Sequence, residues 1–167
     1  MNKDKKPAVF RSALNPRPPV IVSCRGADGR DNALAVVYAT NCSYDPPMVM
    51  VGIVPSRFSH HMIKETGVFV VNLASVAQKN LFTYFGTHSG RDGDKMSASG
   101  ATIIEGVKVN APVLADCPVS IECTVVDSIV TGSHEMFVGK IEYVHADAPL
   151  VKADGTIDWK QIEFYKV

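Results

Sequence analysis

The strongest constraint on the fold is an apolar run at residues 48–54 that is followed by Pro55 and a short polar loop. The run is too short for a buried helix, and the Asp-Pro-Pro segment at 45–47 and Pro55 end regular structure on both sides. It therefore predicts a buried strand. The residues after the loop predict a helix, because Ser59 is a preferred N-cap residue and Gly67 a preferred C-terminal stop.

The loop between this strand and this helix has the composition of a phosphate site. The N–H groups at a helix start are free, and a nearby hydroxyl and an arginine fork add donors that favour a phosphate dianion. Ser59 and Arg57 supply these two groups. Two simpler interpretations stay open, in which Arg57 is a solvated loop charge or Ser59 only caps the helix.

Size and charge indicate one domain, residues 1–167, without a polyanionic partner. A chain of 167 residues that is 46% hydrophobic can bury a core. Lys plus Arg and Asp plus Glu number 17 each, so no net field attracts nucleic acid or an anionic membrane. The charged start, residues 1–6, precedes no apolar stretch long enough for a signal or a spanning helix. We therefore expect a soluble cytoplasmic protein.

Neither a disulfide framework nor a metal site is predicted. The four cysteines are too far apart for a CxxC pair and have apolar neighbours, which predicts buried free thiols: Cys24, Cys42, Cys117 and Cys123. His60 and His61 are adjacent, so on a helix they point about 100° apart, and no acidic or cysteine partner stands at helical spacing. The chain also lacks GxGxxG, GxxxxGK[ST], GxSxG and HExxH motifs, which disfavours four common enzyme classes.

The rest of the pattern predicts short strands separated by turns. Five further strands are expected at residues 20–24, 34–39, 68–73, 119–126 and 136–144. Asp28-Gly29 predicts a hairpin between the first two, and residues 131–133 join the last two. The alternation of Ile121, Cys123 and Val125 with Glu122 and Thr124 indicates that one face is turned toward a core.

A second helix is expected between Ser75 and Gly86. Ser75 and Gln78 form a capping-box pattern, and Leu81, Phe82 and Phe85 cover one face. The polar segment at residues 87–100 predicts a loop long enough to carry a function. Many short strands with few helices predict a mainly β fold, a β-barrel with short helices.

Seven motifs in one order resemble a known family. They are Pro16-Arg17-Pro18-Pro19-Val20, Asn32, Ser43-x-x-Pro46-Pro47, Ser56-Arg57-x-Ser59, Glu65-Thr66-Gly67-x-Phe69-x-Val71-Asn72, Ser89-Gly90-Arg91-Asp92-x-Asp94-Lys95 and Gly132-Ser133-His134-x-x-x-x-Gly139. Together they resemble the flavin reductase-like family, and within it flavoredoxins and related flavin reductases. The resemblance runs from about residue 16 to about residue 144. It implies the FMN-binding split barrel, with Greek-key-like topology, and a homodimer with FMN near the interface.

The resemblance also implies a set of FMN-binding residues: Asn32, Tyr38, Ala39, Thr40, Asn41, Cys42, Ser43, Ser56, Arg57, Ser59, His60, Arg91 and Lys95. The phosphate would lie on the loop at residues 56–60, with Lys95 reaching in from the segment at 89–95. The isoalloxazine edge would follow residues 38–43, where extended backbone offers amide donors. His134 is implied as the catalytic residue, near the flavin and the incoming nicotinamide.

Several of these assignments have structural alternatives. Asn32 can serve turn chemistry, Tyr38 can be a core aromatic, and His134 can satisfy backbone groups beside a hairpin. The charges at residues 91–95 can form a solvated loop. The sequence also departs from the family, because residues 35–37 are apolar where many members carry hydroxyls, and the His60-His61 pair leaves open which histidine faces the phosphate.

The function implied by the resemblance is that of an NAD(P)H:flavin oxidoreductase. Electrons would pass from NADH or NADPH through FMN to an acceptor. One alternative is a flavoredoxin-type carrier that is reduced by a redox protein partner. Another is a flavin-binding protein without turnover.

Overall fold

The fold is a strongly curved antiparallel sheet with helices packed on its outside. A computed structural model describes residues 6–7 and 14–166, so most of the charged start at residues 1–6 lies outside the described part. Nine strands lie in the described ranges: β1 (Val20–Arg25), β2 (Asp31–Val36), β3 (Ala39–Ser43), β4 (Met48–Ile53), β5 (Val68–Leu73), β6 (Ile103–Glu105), β7 (Pro112–Leu114), β8 (Val119–Val130) and β9 (Glu135–Ala146). The α-helices there are α1 (Phe58–Thr66), α2 (Lys79–Thr87) and α3 (Lys95–Ser99).

The strand order shows that the large sheet is a barrel with one gap. Its seven strands run β2-β1-β5-β8-β9-β4-β3, while β6 and β7 pair separately. Strands β2 and β3 therefore lie at opposite edges, yet only Val37 and Tyr38 separate them in the chain. A two-residue connection spans only about 10 Å, so the sheet has to curl until its two edges meet. The result is a barrel split between β2 and the β3–β4 hairpin.

Both faces of the strands near the split are covered. Inside the barrel, Val22, Val51, Phe69 and Phe137 belong to one buried cluster. On the outside, α2 and α3 cover β1 and β2 with a second cluster: Ile21, Ala33, Ala74, Phe82, Phe85, Met96, Leu114 and Cys117. Because neighbouring residues of a strand point to opposite faces, Ile21 and Val22 fill different clusters. Full burial of one such side chain contributes roughly 1.5–3 kcal/mol.

The elements around the predicted phosphate loop largely confirm the sequence analysis. Strand β4 occupies the apolar run, and α1 ends at Gly67, whose φ of 71° is left-handed. The predicted N-cap of α1, Ser59, is wrong. The N-cap is Arg57, whose side chain makes no capping hydrogen bond. Ser59 is buried inside the first turn, so it does not cap the helix.

Other boundaries also differ from the prediction. The second strand spans Asp31–Val36 rather than 34–39, since the chain turns at residues 37–38 to begin β3. The expected loop at 87–100 contains α3, which Asp94 caps and Gly100 ends. Ser75 and Gln78 do form a capping box, around a 3₁₀ turn that leads into α2.

Burial corrects two further expectations. Glu122 is fully buried, although it alternates with the residues of the face that was predicted to be turned toward a core. Its carboxylate accepts the N–H groups of Val107, Lys108 and Val109 from the β6–β7 loop, which covers the side of β8 that bears Glu122. Cys42 is exposed on β3, whereas Cys24, Cys117 and Cys123 are buried free thiols as expected.

The described residues hold neither a membrane-spanning helix nor a cluster of metal ligands. Within residues 6–7 and 14–166, no helix is long and apolar enough to cross a membrane. In the same part of the chain, no three His, Cys, Asp or Glu side chains converge as metal ligands.

Candidate functional site

A polar cavity of about 180 Å³ lies on the β2 side of the split. Its walls come from β2, the β4–α1 loop, the end of α2 and the 3₁₀ turn at Gly90–Asp92. Six of the residues expected to bind the cofactor line it: Asn32, Ser56, Arg57, Ser59, Arg91 and Lys95. The barrel thus brings together residues from three separate parts of the sequence.

The arginines in this cavity are not engaged by acidic side chains. Among the described residues, neither Arg57 nor Arg91 forms an ion pair, although both line the cavity. Arg91 instead lies 5.6 Å from the ring centre of Phe58. One carboxylate, that of Asp92, also lines the cavity, but among the described residues it forms no ion pair with either arginine. Two arginines without ion-pair partners at one cavity favour an anion with several acceptor oxygens.

Lys95 adds a third cation, held at a defined position. It is buried, and its Nζ donates to the carbonyl oxygens of Ala33 and Phe85, both at 2.8 Å. Burial, helped by the nearby charge of Arg57, lowers the pKa of Lys95 to about 8. An ammonium has three donors, so one N–H remains for a ligand in the cavity.

An unsatisfied buried acceptor lies at the cavity wall. Asn32 is 2% exposed, and its Nδ2 donates to the Oγ of Ser59 at 2.6 Å. Its Oδ1 has no hydrogen-bond partner among the described residues. Leaving such an atom unpaired costs about 1–3 kcal/mol. A ligand that donates a hydrogen bond here recovers that free energy.

Arg30, which no sequence motif singled out, shapes the cavity wall together with Gly90 and Phe58. Arg30 donates to the carbonyl oxygens of Gly90 and Gly93 and lies 4.9 Å from the ring centre of Phe58. A Cβ at Gly90 would lie 2.5 Å from Phe58 and 2.7 Å from Asn32, so only glycine allows this approach. The Ser89-Gly90-Arg91 motif was the sequence signal for this wall, but it did not reveal the partner Arg30.

The structure does not bring the His60 side chain into the cavity. Its Nε2 lies 2.7 Å from Oε2 of Glu135, and its ring packs 5.3 Å from that of Phe137. The neighbouring His61 is exposed and contacts the ring of Phe58, 5.1 Å away between centres. The helix thus directs His60 toward Glu135 and Phe137 of β9, and His61 toward Phe58, which lines the cavity.

The remaining expected site residues lie beside the cavity, along β3. Thr40, Asn41 and Cys42 are exposed, while Ala39 and Ser43 are half-buried. Because β3 is an edge strand, one row of its backbone N–H and C=O groups is free of sheet partners. These groups can serve the edge of a flat heterocyclic ligand.

Tyr38 and His134 meet at the start of this edge. Their rings pack edge to face with 4.8 Å between centres. His134 is half-buried, and its Nδ1 lies 2.8 Å from the Oγ of Ser133. The site therefore has two parts: the cationic cavity, and a polar edge with a tyrosine–histidine pair.

Comparisons with known proteins show which family the sequence matches. The model of the flavin reductase like domain matches residues 11–160. An uncharacterised protein of Archaeoglobus fulgidus is 35% identical over 120 residues, which are 71% of this chain and 68% of that protein. NADH:riboflavin 5'-phosphate oxidoreductase of Streptomyces pristinaespiralis is 27% identical over 135 residues, 80% of this chain and 74% of that enzyme.

A solved structure resembles nearly the whole fold. Flavoredoxin of Desulfovibrio vulgaris (Miyazaki F) superposes with a TM-score of 0.88 at 29% sequence identity. The superposition covers 98% of this chain and 93% of the flavoredoxin chain. The split barrel is therefore shared along its full length.

Proposed function

The chain belongs to the flavin reductase-like domain family, and from this premise we propose that it is an FMN-dependent oxidoreductase that uses NADH as electron donor. The observation that carries the proposal is the cavity in which Arg57, Arg91 and Lys95 converge without a carboxylate partner among the described residues. The Streptomyces pristinaespiralis relative, whose name gives NADH and riboflavin 5'-phosphate, supports the choice of donor and cofactor. NADPH stays the alternative donor.

The residues of the cavity fit the phosphate end of FMN. Arg57, Arg91 and the free N–H of Lys95 would donate to the phosphate oxygens, together with the hydroxyl of Ser56. The unsatisfied Oδ1 of Asn32 would accept a hydroxyl of the ribityl chain. The cavity, at about 180 Å³, is smaller than the roughly 300–1,000 Å³ of a site that encloses a whole ligand.

The flavin ring would therefore lie outside the cavity, along residues 38–43. The free backbone groups of β3 would orient its polar edge, and Tyr38 would offer an aromatic surface. The chemistry that FMN supplies when bound is the acceptance of electrons from a reduced nicotinamide and their delivery to an acceptor. His134, packed on Tyr38, would hold the nicotinamide in place.

An anaerobic absorbance trace tests the proposal. The purified protein is mixed with FMN, and NADH or NADPH is then added. Loss of the flavin's long-wavelength band within seconds is expected, and the faster nucleotide is the preferred donor. Absence of FMN binding would overturn the cofactor assignment.

A second function is favoured by the flavoredoxin superposition, whose TM-score is 0.88. In that function another redox protein reduces the bound FMN, and free NADH reacts poorly. The same trace separates the two, because FMN that binds but stays oxidised after NADH addition excludes the first proposal. If a reduced redox protein also fails to reduce it, the protein binds flavin without turnover.

Replacement of His134 tests the nicotinamide side of the site. His134→Ala is expected to slow flavin reduction by NADH about tenfold to a hundredfold while FMN affinity stays close to that of the parent, because the histidine lies outside the cavity. Stopped-flow absorbance gives the rate, and FMN fluorescence titration gives the affinity. Unchanged values for both would contradict the role.

The β8–β9 hairpin bears on the oligomeric state of the protein. We propose a homodimer, supported by apolar side chains that the β8–β9 hairpin leaves exposed: Val126, Ile129 and Val130. Light scattering, which gives the molar mass in solution, tests this oligomeric state.

We also propose a cytoplasmic location and no binding of nucleic acid. Cell fractionation tests the location, and a titration with nucleic acid at low salt tests the binding.

A further inference from the structure

A cluster of polar side chains around the buried carboxylate of Glu135, which includes the exposed Lys64, joins α1 to the first residue of β9. Glu135 is 2% exposed, and its Oε2 lies 2.7 Å from Nε2 of His60. Its Oε1 accepts from Nζ of Lys64 at 3.0 Å and from Oγ of Ser128 at 2.7 Å. The donors from Ser128, Lys64 and His60 outweigh burial and lower the pKa of Glu135 to about 2.

On the helix side, this cluster fixes the first turn of α1. His60 and Lys64 are four residues apart, so they share one helix face and reach the same carboxylate. The backbone N–H of His60 also donates to the backbone carbonyl of Arg57, with 3.0 Å between nitrogen and oxygen. The orientation of His60 therefore bears on the turn that presents Arg57 and Ser59 to the cavity.

On the strand side, the cluster fixes the backbone next to His134. Glu135 contacts His60 of α1, whereas the ring of the preceding residue, His134, packs on Tyr38. The strand pairing of Glu135 with Ile53 adds a second constraint, because Ile53 ends β4 just before the phosphate loop. One carboxylate thus lies between the two parts of the site.

We propose that Glu135 is a positioning residue that holds the cationic cavity and His134 in register, so that a cofactor anchored by its phosphate meets His134 correctly. The proposal rests on the proposed function, since it assigns the cavity to the FMN phosphate. Its mechanism is geometric, because a misplacement of about 1 Å at a reacting centre can cost on the order of 100-fold in rate.

The chain offers a matched control in Glu122. This glutamate is also buried, lies on β8, the partner strand of β9, and accepts from a histidine, with Nε2 of His145 at 2.6 Å from its Oε1. None of these residues lines the cavity. If both buried glutamates act only on stability, Glu122→Gln and Glu135→Gln should change ligand preference and reduction rate to the same extent.

The experiment measures three quantities in the parent protein, E135Q and E122Q. They are the melting temperature, the affinities for FMN and for riboflavin, and the anaerobic rate of reduction by NADH at saturating FMN. E135Q is expected to reduce the preference for FMN over riboflavin about tenfold, and to slow reduction at least as much. E122Q is expected to lower the melting temperature but to keep the parent's preference and rate.

The outcomes separate the two proposals. If the parent binds FMN and E135Q matches E122Q in preference and rate, the positioning role is overturned while the proposed function stands. If the parent prefers riboflavin or binds neither, the proposed function falls, and the positioning role with it. If E135Q does not fold, His60→Leu replaces it, because leucine keeps the apolar contact with Phe137 and removes the bond to Glu135. An unchanged FMN preference in that variant overturns the role.

Discussion

Arg57 is the exposed N-cap of α1, and its guanidinium is free of carboxylates within the described residues. Arg57→Ala is expected to raise the FMN dissociation constant about tenfold, because a charge-assisted hydrogen bond contributes roughly 1.5–3 kcal/mol and exposure places this one at the low end. Fluorescence titration measures the change. Riboflavin affinity should stay constant, and Lys108→Ala, an exposed cation outside the cavity, should leave both affinities unchanged. An equal loss for riboflavin would contradict the phosphate role.

Lys95 is expected to make FMN binding depend on pH. Its pKa of about 8 in the free protein means that the ammonium is lost as pH rises through that value. A bound phosphate dianion favours the charged form and raises this pKa, so binding takes up a proton above pH 8. We expect FMN affinity to fall between pH 7 and 9. Riboflavin affinity should change little, and a parallel fall for both ligands would exclude Lys95 as the cause.

Among the elements, α1 and β9 are joined by an ionised carboxylate, which gives the fold an acid-sensitive contact. The pKa of Glu135 is lowered from 4.5 to about 2, so its stabilisation is complete above about pH 4.5 and disappears as pH falls toward 2. The free energy of unfolding of the parent is expected to fall between pH 7 and pH 3. In Glu135→Gln this fall is expected to be smaller. Urea unfolding at both pH values measures it. A loss equal to that of the parent would show that other carboxylates control acid unfolding.

The elements also show what local patterns can predict. Gly67 ends α1 and Pro55 ends the β4 segment because both act through their own backbone, and the sequence predicted both. Ser59 failed as a cap because Asn32, from β2, holds its hydroxyl at 2.6 Å inside the fold. A cap residue predicts a helix start only when no partner from elsewhere in the chain competes for its side chain.

At the scale of the whole molecule, closure of the barrel requires close packing between β5, β8 and β9. A Cβ at Gly139 would lie 2.5 Å from the ring of Phe69 and 2.8 Å from Cβ of Cys123. Gly139→Ala is therefore expected to destabilise the protein by about 1–3 kcal/mol. Gly132→Ala is the control, since nothing lies within 4 Å of its added Cβ, and it should stay within about 0.5 kcal/mol. Similar unfolding midpoints for both variants would contradict this packing argument.

The barrel also determines which expected site residues meet. Asn32, Arg57 and Lys95 come together in the cavity because β2 forms one edge of the split and the β4–α1 loop and α3 lie against it. All three residues belong to the motifs found in the sequence. The motifs could not predict Arg30, whose contacts with Gly90 and Gly93 exist only once the β1–β2 turn packs beside the segment at residues 89–95.

The sequence by itself determined the type and approximate place of α1, α2 and most strands, the mainly β class that their number implies, and the composition of the β4–α1 loop, because these depend on nearby residues. Only the tertiary structure decided where the polar side chains point. His60 turns from the cavity to Glu135, which is 75 residues away in the chain, and Glu122 is buried because a distant loop covers it. Such pairings depend on how the sheet closes, and no local periodicity encodes them.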